Sequence, residues 1–276
     1  MSYCRVLTIQ DISCVGQCSL TVALPILSAC GLETVILPSA VLSTHTAGFS
    51  GFTVRDLTDD MPAIQAHWQK ENIRFDAFYT GYLGSTRQID YVADIMASLG
   101  RENAPKIVDP AMADYGKLYP AFDMDYVAKM RELCARADII LPNITEACFL
   151  TGTDYREEYD GAYIETLVEK LTALGTRTVV LTGVGYRPDR LGVLVSEAGN
   201  TTYYEHKRIS KSCHGTGDVY ASVCVGALLK GRPVAEAARI AADFTVRCIE
   251  NTVDDASHWY GVKFEPLLAD LAQQLA

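Results

Sequence analysis

The sequence contains no run of about 18 uninterrupted apolar residues, which is the length that a membrane-spanning helix requires. Its first residues, Met1–Arg5, do not have the basic segment that opens a secretory signal peptide, and no long apolar stretch with a small-residue cleavage site follows them. The sequence therefore predicts a cytoplasmic protein that has no membrane partner.

Paired cysteine motifs are also missing. The nine cysteines are scattered along the chain, none of them forms a C-x-x-C pair, and their number is odd. Disulfide frameworks and structural zinc sites depend on regular cysteine spacing. The pattern therefore favours reduced thiols in a cytosolic protein.

Positive charge is scarce, because 24 Lys and Arg residues stand against 34 Asp and Glu residues, for a net charge of −10. Nucleic acid binding depends on a basic surface, so nucleic acid is excluded as a general partner. An anionic ligand would have to be neutralised locally, by a helix N-terminus, a metal ion or a few basic side chains.

The two common nucleotide-binding fingerprints are absent as well. A dinucleotide site needs G-x-G-x-x-G after the first strand, whereas the first loop, Gln10–Gln17, holds the single glycine Gly16. No G-x-x-x-x-G-K-[S/T] segment is present either. Any nucleotide must therefore be bound in another way.

What the sequence does contain is a regular alternation of short β-branched runs and longer helical patterns. The predicted strands cover residues 5–10, 33–38, 75–80, 106–109, 138–141, 177–182, 191–196 and 201–206. The predicted helices cover residues 18–30, 60–71, 87–100, 123–136, 161–174, 217–229, 234–250 and 264–275. This order predicts a three-layer α/β/α fold in one domain, residues 1–276, with a mostly parallel sheet and a hairpin at residues 191–206. Ligands of such sheets bind at the carboxyl ends of the strands.

Gly215-Thr216-Gly217-Asp218 precedes the clearest helix of the sequence. The two glycines permit a turn whose backbone N–H groups converge at the positive end of the helix, where they could hold a phosphoryl group. Asp218 could accept the proton of an attacking hydroxyl, and we expect the helix N-terminus to lower its pKa. Taken alone, the segment is more typical of a glycine turn with an acidic residue beside the helix dipole than of a catalytic loop.

Acidic and amide side chains follow two other predicted strands. Asp109 precedes a proline at a strand end and could organise Mg²⁺, and Asn143 and Glu146 could face the metal and the nucleotide phosphates. The ordinary alternative is turn and helix capping, with Thr145 as the expected cap. Lys207, Arg208 and Lys211 form a basic cluster that is most simply a solvated surface.

The order of these loops along the chain, roughly from Arg5 to Ile249, resembles that of the pyridoxal/pyridoxamine kinases of the ribokinase-like superfamily. The segments that carry the resemblance are Asp11, Ser43–Thr46, Gly81–Ser85, Val108–Pro110, Pro142–Glu146, Thr182-Gly183 and Gly215–Asp218. The resemblance implies a ribokinase-like fold and a homodimer. It also implies transfer of the γ-phosphoryl group of ATP to the 5′-hydroxyl of a B6 vitamer, with Mg²⁺ and, as a further candidate, a monovalent cation such as K⁺.

The resemblance also implies roles for individual residues. Asp218 matches the base, and Gly215, Thr216 and Gly217 match the anion hole. The matching nucleotide and metal positions are Asp114, Tyr119, Asn143, Glu146, Thr182 and Gly183 for ATP, with Asp109 and Glu146 for the metal. The matching acceptor positions are Asp11, Val41, Thr46 and Tyr82.

One departure from the family concerns Asp11, because relatives commonly carry Ser at this position, which meets the pyridine nitrogen. We hypothesise that Asp11 pairs with a protonated ring nitrogen or with the amine of pyridoxamine. Two other functions stay open. One is a hydroxymethylpyrimidine kinase of thiamine synthesis, a branch that typically carries Cys in place of Asp218, and the other is a vitamer-binding protein without catalysis.

Overall fold

Strands and helices alternate along the chain as the sequence predicts, in a computed structural model that describes residues 3–209 and 213–276. The strands are β1 (Arg5–Ser13), β2 (Glu33–Leu42), β3 (Val54–Asp56), β4 (Ala77–Thr80), β5 (Lys106–Val108), β6 (Ala113–Asp114), β7 (Lys117–Leu118), β8 (Ile139–Ile140), β9 (Thr178–Val184), β10 (Arg190–Glu197) and β11 (Asn200–Lys207). The helices are α1 (Leu20–Ala29), α2 (Met61–Lys70), α3 (Thr86–Leu99), α4 (Met124–Ala135), α5 (Ile144–Thr151), α6 (Gly161–Thr172), α7 (Thr216–Leu229), α8 (Val234–Glu250) and α9 (Leu268–Leu275), with a 3₁₀ turn at Glu265–Leu267.

Nine of the strands form one sheet in the order β11-β10-β9-β8-β5-β4-β1-β2-β3. The pairs from β9 through to β2 are parallel, and β3, β10 and β11 add antiparallel strands at the two edges. The predicted mostly parallel sheet and its terminal hairpin are therefore confirmed. The hairpin turns through Ala198 and Gly199, which both have positive φ as a two-residue turn requires.

The two faces of the sheet are covered by different helices, which gives the three predicted layers. Leu7 and Ile9 of β1 point to a core shared with α2–α6, while Val6 points to a core shared with α1 and α7–α9. Side chains of a strand alternate between faces, so a strand buried on both sides can be apolar without alternation. This explains the apolar runs Ile107-Val108 and Ile139-Ile140, whereas β1 also buries the polar Thr8 and Gln10.

Local signals fix where several helices begin. The side chains of Ser85, Asp123 and Asp160 accept hydrogen bonds from the first turns of α3, α4 and α6 respectively. Each of these helices then presents an apolar stripe to the sheet. None of the helices within residues 3–209 and 213–276 combines the length and the apolar character of a membrane span.

The sequence prediction misses β3, β6, β7 and α5. The three strands are two or three residues long, too short to show a period. Helix α5 has eight residues and is buried on nearly all sides, so it has no amphipathic stripe. Of the basic cluster, Lys207 and Arg208 are exposed, as a solvated surface requires, and Lys211 lies outside the described residues.

Candidate functional site

The strand ends that carry the polar loops meet at one edge of the sheet. The Asp109 N–H donates to the carbonyl of Thr80 at 3.0 Å, which joins the ends of β5 and β4. The Thr182 N–H donates to the carbonyl of Pro142 at 2.9 Å, and Asn143 forms a bridge with Thr182. Parallel pairing therefore brings residues far apart in the sequence together at this edge.

Glu146 is buried at the start of α5, with 2% of its surface exposed. Its Oε1 accepts from the N–H of Met112 at 3.0 Å, and its Oε2 accepts from the N–H of Asn143 at 2.9 Å. The Asn143 side chain returns a bond to the Glu146 N–H, which completes a capping box. The expectation that Thr145 caps this helix was wrong, because the Asn143 side chain accepts from the N–H of Glu146, three residues farther along the chain.

Asp109 lies beside Glu146 and shares its environment. Its Oδ1 accepts from the Ala111 N–H at 3.1 Å. Burial, followed by the negative charges of Glu146 and Asp218, raises the pKa of Asp109 well above its usual range. Burial also raises the pKa of Glu146 from 4.5 to about 7, although hydrogen bonds from the backbone oppose the shift. The carboxyl groups of this cluster therefore compete for ionisation near neutral pH.

A divalent cation fits this arrangement. Carboxylates that raise one another's pKa are relieved when a positive ion stands between them. Within the described residues, no three His, Cys, Asp or Glu side chains are grouped closely enough to hold a metal by themselves. Mg²⁺ commonly keeps several waters and binds through one or two carboxylates plus substrate phosphates, so Asp109 and Glu146 suit Mg²⁺ held in that way.

Asp218 lies in the first turn of α7, and its pKa differs from the value that the sequence predicts. Burial raises its pKa from 3.8 to about 7, and the charge of Asp11 adds to the rise. A hydrogen bond from the backbone of Ser19 opposes the shift without cancelling it. The expected depression of the Asp218 pKa was wrong, because loss of water around the carboxylate outweighs the helix dipole.

The glycine turn before Asp218 is required by its surroundings. Gly215 caps α7 with φ 77° and ψ 2°, and a Cβ atom there would lie 2.0 Å from the carbonyl oxygen of Gln17. Thr216 donates its hydroxyl to the Cys213 carbonyl at 3.3 Å, and no side chain caps the helix. A Cβ at Gly217 would meet no atom within 4 Å, so there is open space beside the first turn of α7.

Asp11 is buried near the end of β1, with 5% of its surface exposed. Ser13 donates its hydroxyl to Asp11 Oδ2 at 3.0 Å. Burial raises the pKa of Asp11, while hydrogen bonds from Ser19 and Ser13 and the nearby ring of His45 lower it. Burial, and then the charge of Asp11, raises the pKa of Tyr82, so the structure brings these two predicted acceptor residues together.

The loop that carries Thr46 is fixed by its neighbour His45. His45 Nδ1 accepts from the Ala47 N–H at 3.1 Å, and Nε2 lies 2.7 Å from the carbonyl oxygen of Tyr260. An imidazole that accepts at Nδ1 and donates from Nε2 satisfies both contacts. Thr46 itself is exposed and Val41 is half-buried in β2, so these two predicted residues stand at the margin of the site.

The residues predicted to bind the nucleotide lie on a short hairpin near the carboxyl cluster and in β9. Asp114 ends β6 and Tyr119 follows β7, so both belong to the small β6–β7 hairpin. Burial, followed by the charges of Glu146 and Asp114, raises the pKa of Tyr119. Thr182 and Gly183 lie inside β9 and not after it, because the strand continues to Val184 beyond its predicted end. Asn143 links the two groups, because its side chain donates to the Ala113 carbonyl at 2.8 Å and its backbone forms a bridge with Thr182.

Ser19 is the site residue that sequence reasoning missed. It has φ 56° and ψ −127°, a conformation that favours glycine, and it contacts both Asp11 and Asp218. Strained backbone of this kind clusters at functional sites. A serine before an apolar helix is an ordinary capping signal, so the sequence alone does not distinguish it.

Comparison with known proteins places the chain among kinases. The model of the family described as phosphomethylpyrimidine kinase matches residues 24–262. A pyridoxine/pyridoxal/pyridoxamine kinase of Bordetella bronchiseptica is 30% identical over 90% of this chain and 89% of its own length. A hydroxymethylpyrimidine/phosphomethylpyrimidine kinase of Bacillus subtilis is also 30% identical, over 78% of each chain.

A solved structure agrees with this placement. The pyridoxal kinase of Lactobacillus plantarum superimposes with a TM-score of 0.92 and 34% identity, covering 99% of this chain and 98% of its own. The predicted ribokinase-like fold is therefore confirmed. This chain belongs to the phosphomethylpyrimidine kinase family, and the proteins similar to it include ones named as kinases of B6 vitamers and of hydroxymethylpyrimidine.

Proposed function

We propose that this chain transfers the γ-phosphoryl group of ATP to the 5′-hydroxyl of a B6 vitamer. The observation that carries the proposal is the position of Asp218, a carboxyl with a pKa of about 7 beside the open N-terminus of α7 and opposite the buried Asp11. A general base works best when its pKa lies near the working pH.

Asp218 removes the proton of the 5′-hydroxyl as the hydroxyl oxygen attacks the γ-phosphorus. The bond between this phosphorus and the oxygen that bridges to the β-phosphate breaks, so ADP leaves and the vitamer becomes its 5′-phosphate. The N–H groups of Gly215, Thr216 and Gly217 stabilise the charge on the transferred group, which has a loose transition state. Asp218 then releases its proton to solvent.

Asp109 and Glu146 would hold Mg²⁺ through its waters, and this ion would neutralise charge on the phosphates. Asn143 fixes Glu146 through the capping box, which leaves the Glu146 carboxylate one orientation. Asp114, Tyr119, Thr182 and Gly183 would border the nucleotide around this cluster. A monovalent cation such as K⁺ would add further positive charge to the site.

Tyr82, Val41 and Thr46 would line the acceptor pocket, with Asp11 opposite the ring nitrogen or the amine of the vitamer. A cation beside Asp11 would favour its charged form, which burial otherwise disfavours. Pyridoxal, pyridoxine and pyridoxamine share the ring nitrogen, whereas pyridoxamine alone adds the amine. Removal of the Asp11 charge should therefore separate these vitamers.

Hydroxymethylpyrimidine is the second candidate acceptor, because a relative named for that activity is as similar in sequence as a B6 vitamer kinase. Asp218 favours the B6 vitamers, since the pyrimidine branch typically carries Cys there, and the Gly81–Ser85 loop favours them too. A protein that binds the vitamer without turnover would have no need of Asp218, Asp109 and Glu146 together.

The deciding experiment measures ATP-dependent phosphorylation of pyridoxal, pyridoxamine, pyridoxine and hydroxymethylpyrimidine side by side. We expect kcat/KM to be highest for a B6 vitamer, and Asp218→Ala to abolish turnover while vitamer binding persists. Preferential phosphorylation of hydroxymethylpyrimidine would establish the second candidate. Vitamer binding without any wild-type turnover would establish the binding protein. Light scattering of the same preparation tests the homodimer that we propose from the family resemblance.

A further inference from the structure

Three polar side chains lie completely inside the protein beneath the candidate site. Gln10 of β1, Tyr79 of β4 and Ser222 of α7 each have 0% of their surface exposed. Within the described residues, Gln10 Oε1, the Tyr79 hydroxyl and Ser222 Oγ have no hydrogen-bond partner. Buried polar atoms are nearly always paired, either with protein atoms or with ordered water, so three orphaned oxygens in one place require an explanation.

These three residues, the buried triad, converge at the junction of two strands and a helix. Thr8 pairs with Tyr79 in the sheet register, and Gln10 Nε2 donates to Thr8 Oγ1 at 2.9 Å. Ser222 and Gln10 both approach the Tyr79 hydroxyl, although neither contact has hydrogen-bond geometry. The Tyr79 hydroxyl therefore lies close to both the Ser222 and the Gln10 side chains without an aligned hydrogen bond to either.

The triad lies directly under the reacting end of the site. Ser222 follows Asp218 by four residues, so both side chains project from the same face of α7. The charges of Asp109 and Asp218 act on the Tyr79 hydroxyl, so that hydroxyl lies near the two carboxylates. A Cβ at Gly81 would lie 2.6 Å from Gln10 Oε1, so the triad also abuts the loop that leads to Tyr82.

We propose that Gln10, Tyr79 and Ser222 together bind one buried water molecule, and that this hydrated triad holds the first turns of α7 against β1 and β4 and so positions Asp218. A buried water usually makes two to four hydrogen bonds to otherwise unpaired groups. It can donate to Gln10 Oε1, while the two hydroxyls serve as donor or acceptor as needed. The triad is a positioning element, because none of its members reaches the reacting atoms.

The water site is tested first by crystallography at a resolution that shows ordered water. We expect one water within hydrogen-bond distance of all three oxygens in the wild type, and its loss or displacement in Tyr79→Phe. A dry triad in the wild type, or an anomalous signal from K⁺ or Rb⁺ at this point, would overturn the water assignment. This test does not depend on which acceptor the enzyme uses.

The positioning role rests on the proposed function, because it takes Asp218 as the base, and it is tested by kinetics. We expect Tyr79→Phe to lower kcat by about tenfold, the effect of losing one hydrogen bond of typical strength in an active site, with KM for both substrates unchanged. The matched control is Tyr220→Phe, which removes another buried and unpaired hydroxyl from α7. Burial and then Cys224, not the carboxylates of the site, raise the pKa of the Tyr220 hydroxyl. We expect this control to keep the wild-type kcat.

Ser222→Ala is the second variant, and it removes the oxygen that α7 contributes to the triad. It keeps the test available if Tyr79→Phe folds poorly. A kcat unchanged in both variants would overturn the positioning role, and so would a parallel fall in kcat and thermal stability in Tyr220→Phe. If the wild type phosphorylates only hydroxymethylpyrimidine, the B6 assignment fails but the positioning role can still be tested. The kcat values of the variants are then compared with hydroxymethylpyrimidine as the acceptor.

Discussion

The carboxylate of Asp11 lies near enough to Asp218 for its charge to raise the pKa of the Asp218 carboxyl, and Ser19 contacts both groups. Burial is the larger cause of that rise, and Asp11 adds to it. The pKa of the proposed base, Asp218, therefore depends on Asp11, which we propose contacts the acceptor. This relationship makes the pH profile of the reaction sensitive to Asp11.

The pH profile gives the first prediction. Because Asp218 has a pKa of about 7 and must be unprotonated to act, kcat/KM should rise with pH and level off above about 7. Asp11→Asn removes a negative charge that disfavours the Asp218 carboxylate, so the acidic limb should move to lower pH. The measurement is kcat/KM for pyridoxine between pH 5.5 and 9, with Asp56→Asn as a control. A limb that stays in place in Asp11→Asn would contradict the coupling.

Replacement of the proposed base should separate activity from stability. Asp218→Asn should lower kcat by about 10²–10⁴-fold, the range for loss of a general base. The same change should raise the thermal midpoint at pH 8, because an amide of equal shape replaces a carboxylate that burial destabilises. Thermal melts and steady-state kinetics on one preparation test both effects. A loss of activity together with a lower midpoint would indicate that Asp218 is chiefly structural.

The glycine turn allows a matched pair of substitutions. Gly215 and Gly231 have φ of 77° and 83°, but a Cβ at Gly215 would meet the Gln17 carbonyl oxygen at 2.0 Å whereas one at Gly231 would meet no atom within 4 Å. Gly231→Ala should lower the free energy of unfolding by about 1–2 kcal/mol, the cost of a left-handed alanine. Gly215→Ala should cost clearly more, because the backbone of residues 16–18 must also move. Urea denaturation measures both, and equal losses would contradict the steric argument.

The fold could be predicted from the sequence because the same signals, apolar strands and amphipathic helices, recur along the chain. The parallel strands are largely apolar on both faces, and a covering helix needs a stripe such as the one formed by Ile89, Val92 and Met96 of α3. Helix α5 lacks that stripe, since it lies between other elements. Its start was nevertheless visible, because Asn143 and Glu146 have the spacing of a capping box.

The sequence allowed candidate site residues to be named, but it did not allow the pKa of Asp218 to be predicted. Asp218 at a helix N-terminus suggests a low pKa when the sequence is considered alone, whereas the folded chain places Asp11 beside it and excludes water from both. Burial of that kind depends on distant segments, here the ends of β1 and the start of α1. Ser19 was missed for the same reason, because its two partners are brought to it only by the fold.

The carboxyl cluster provides the last prediction, which concerns Mg²⁺ and pH. The folded chain raises the pKa of Glu146 from 4.5 to about 7, so the folded state binds this proton more tightly than the unfolded state does. Stability from that proton is present below pH 4.5 and is lost as the pH rises through 7. A cation that replaces the proton should therefore stabilise the protein most above pH 7.

We expect Mg²⁺ with ADP to raise the thermal midpoint more at pH 8 than at pH 6, relative to ADP with EDTA. Glu146→Gln should reduce this difference, since glutamine carries no charge for the metal. Its single amide oxygen can keep the capping-box bond from the Asn143 N–H, while the bond from the Met112 N–H is lost. The control Glu102→Gln changes an exposed glutamate and should leave the difference intact. An Mg²⁺ effect that is equal at both pH values, or unaffected by Glu146→Gln, would place the metal elsewhere than at Asp109 and Glu146.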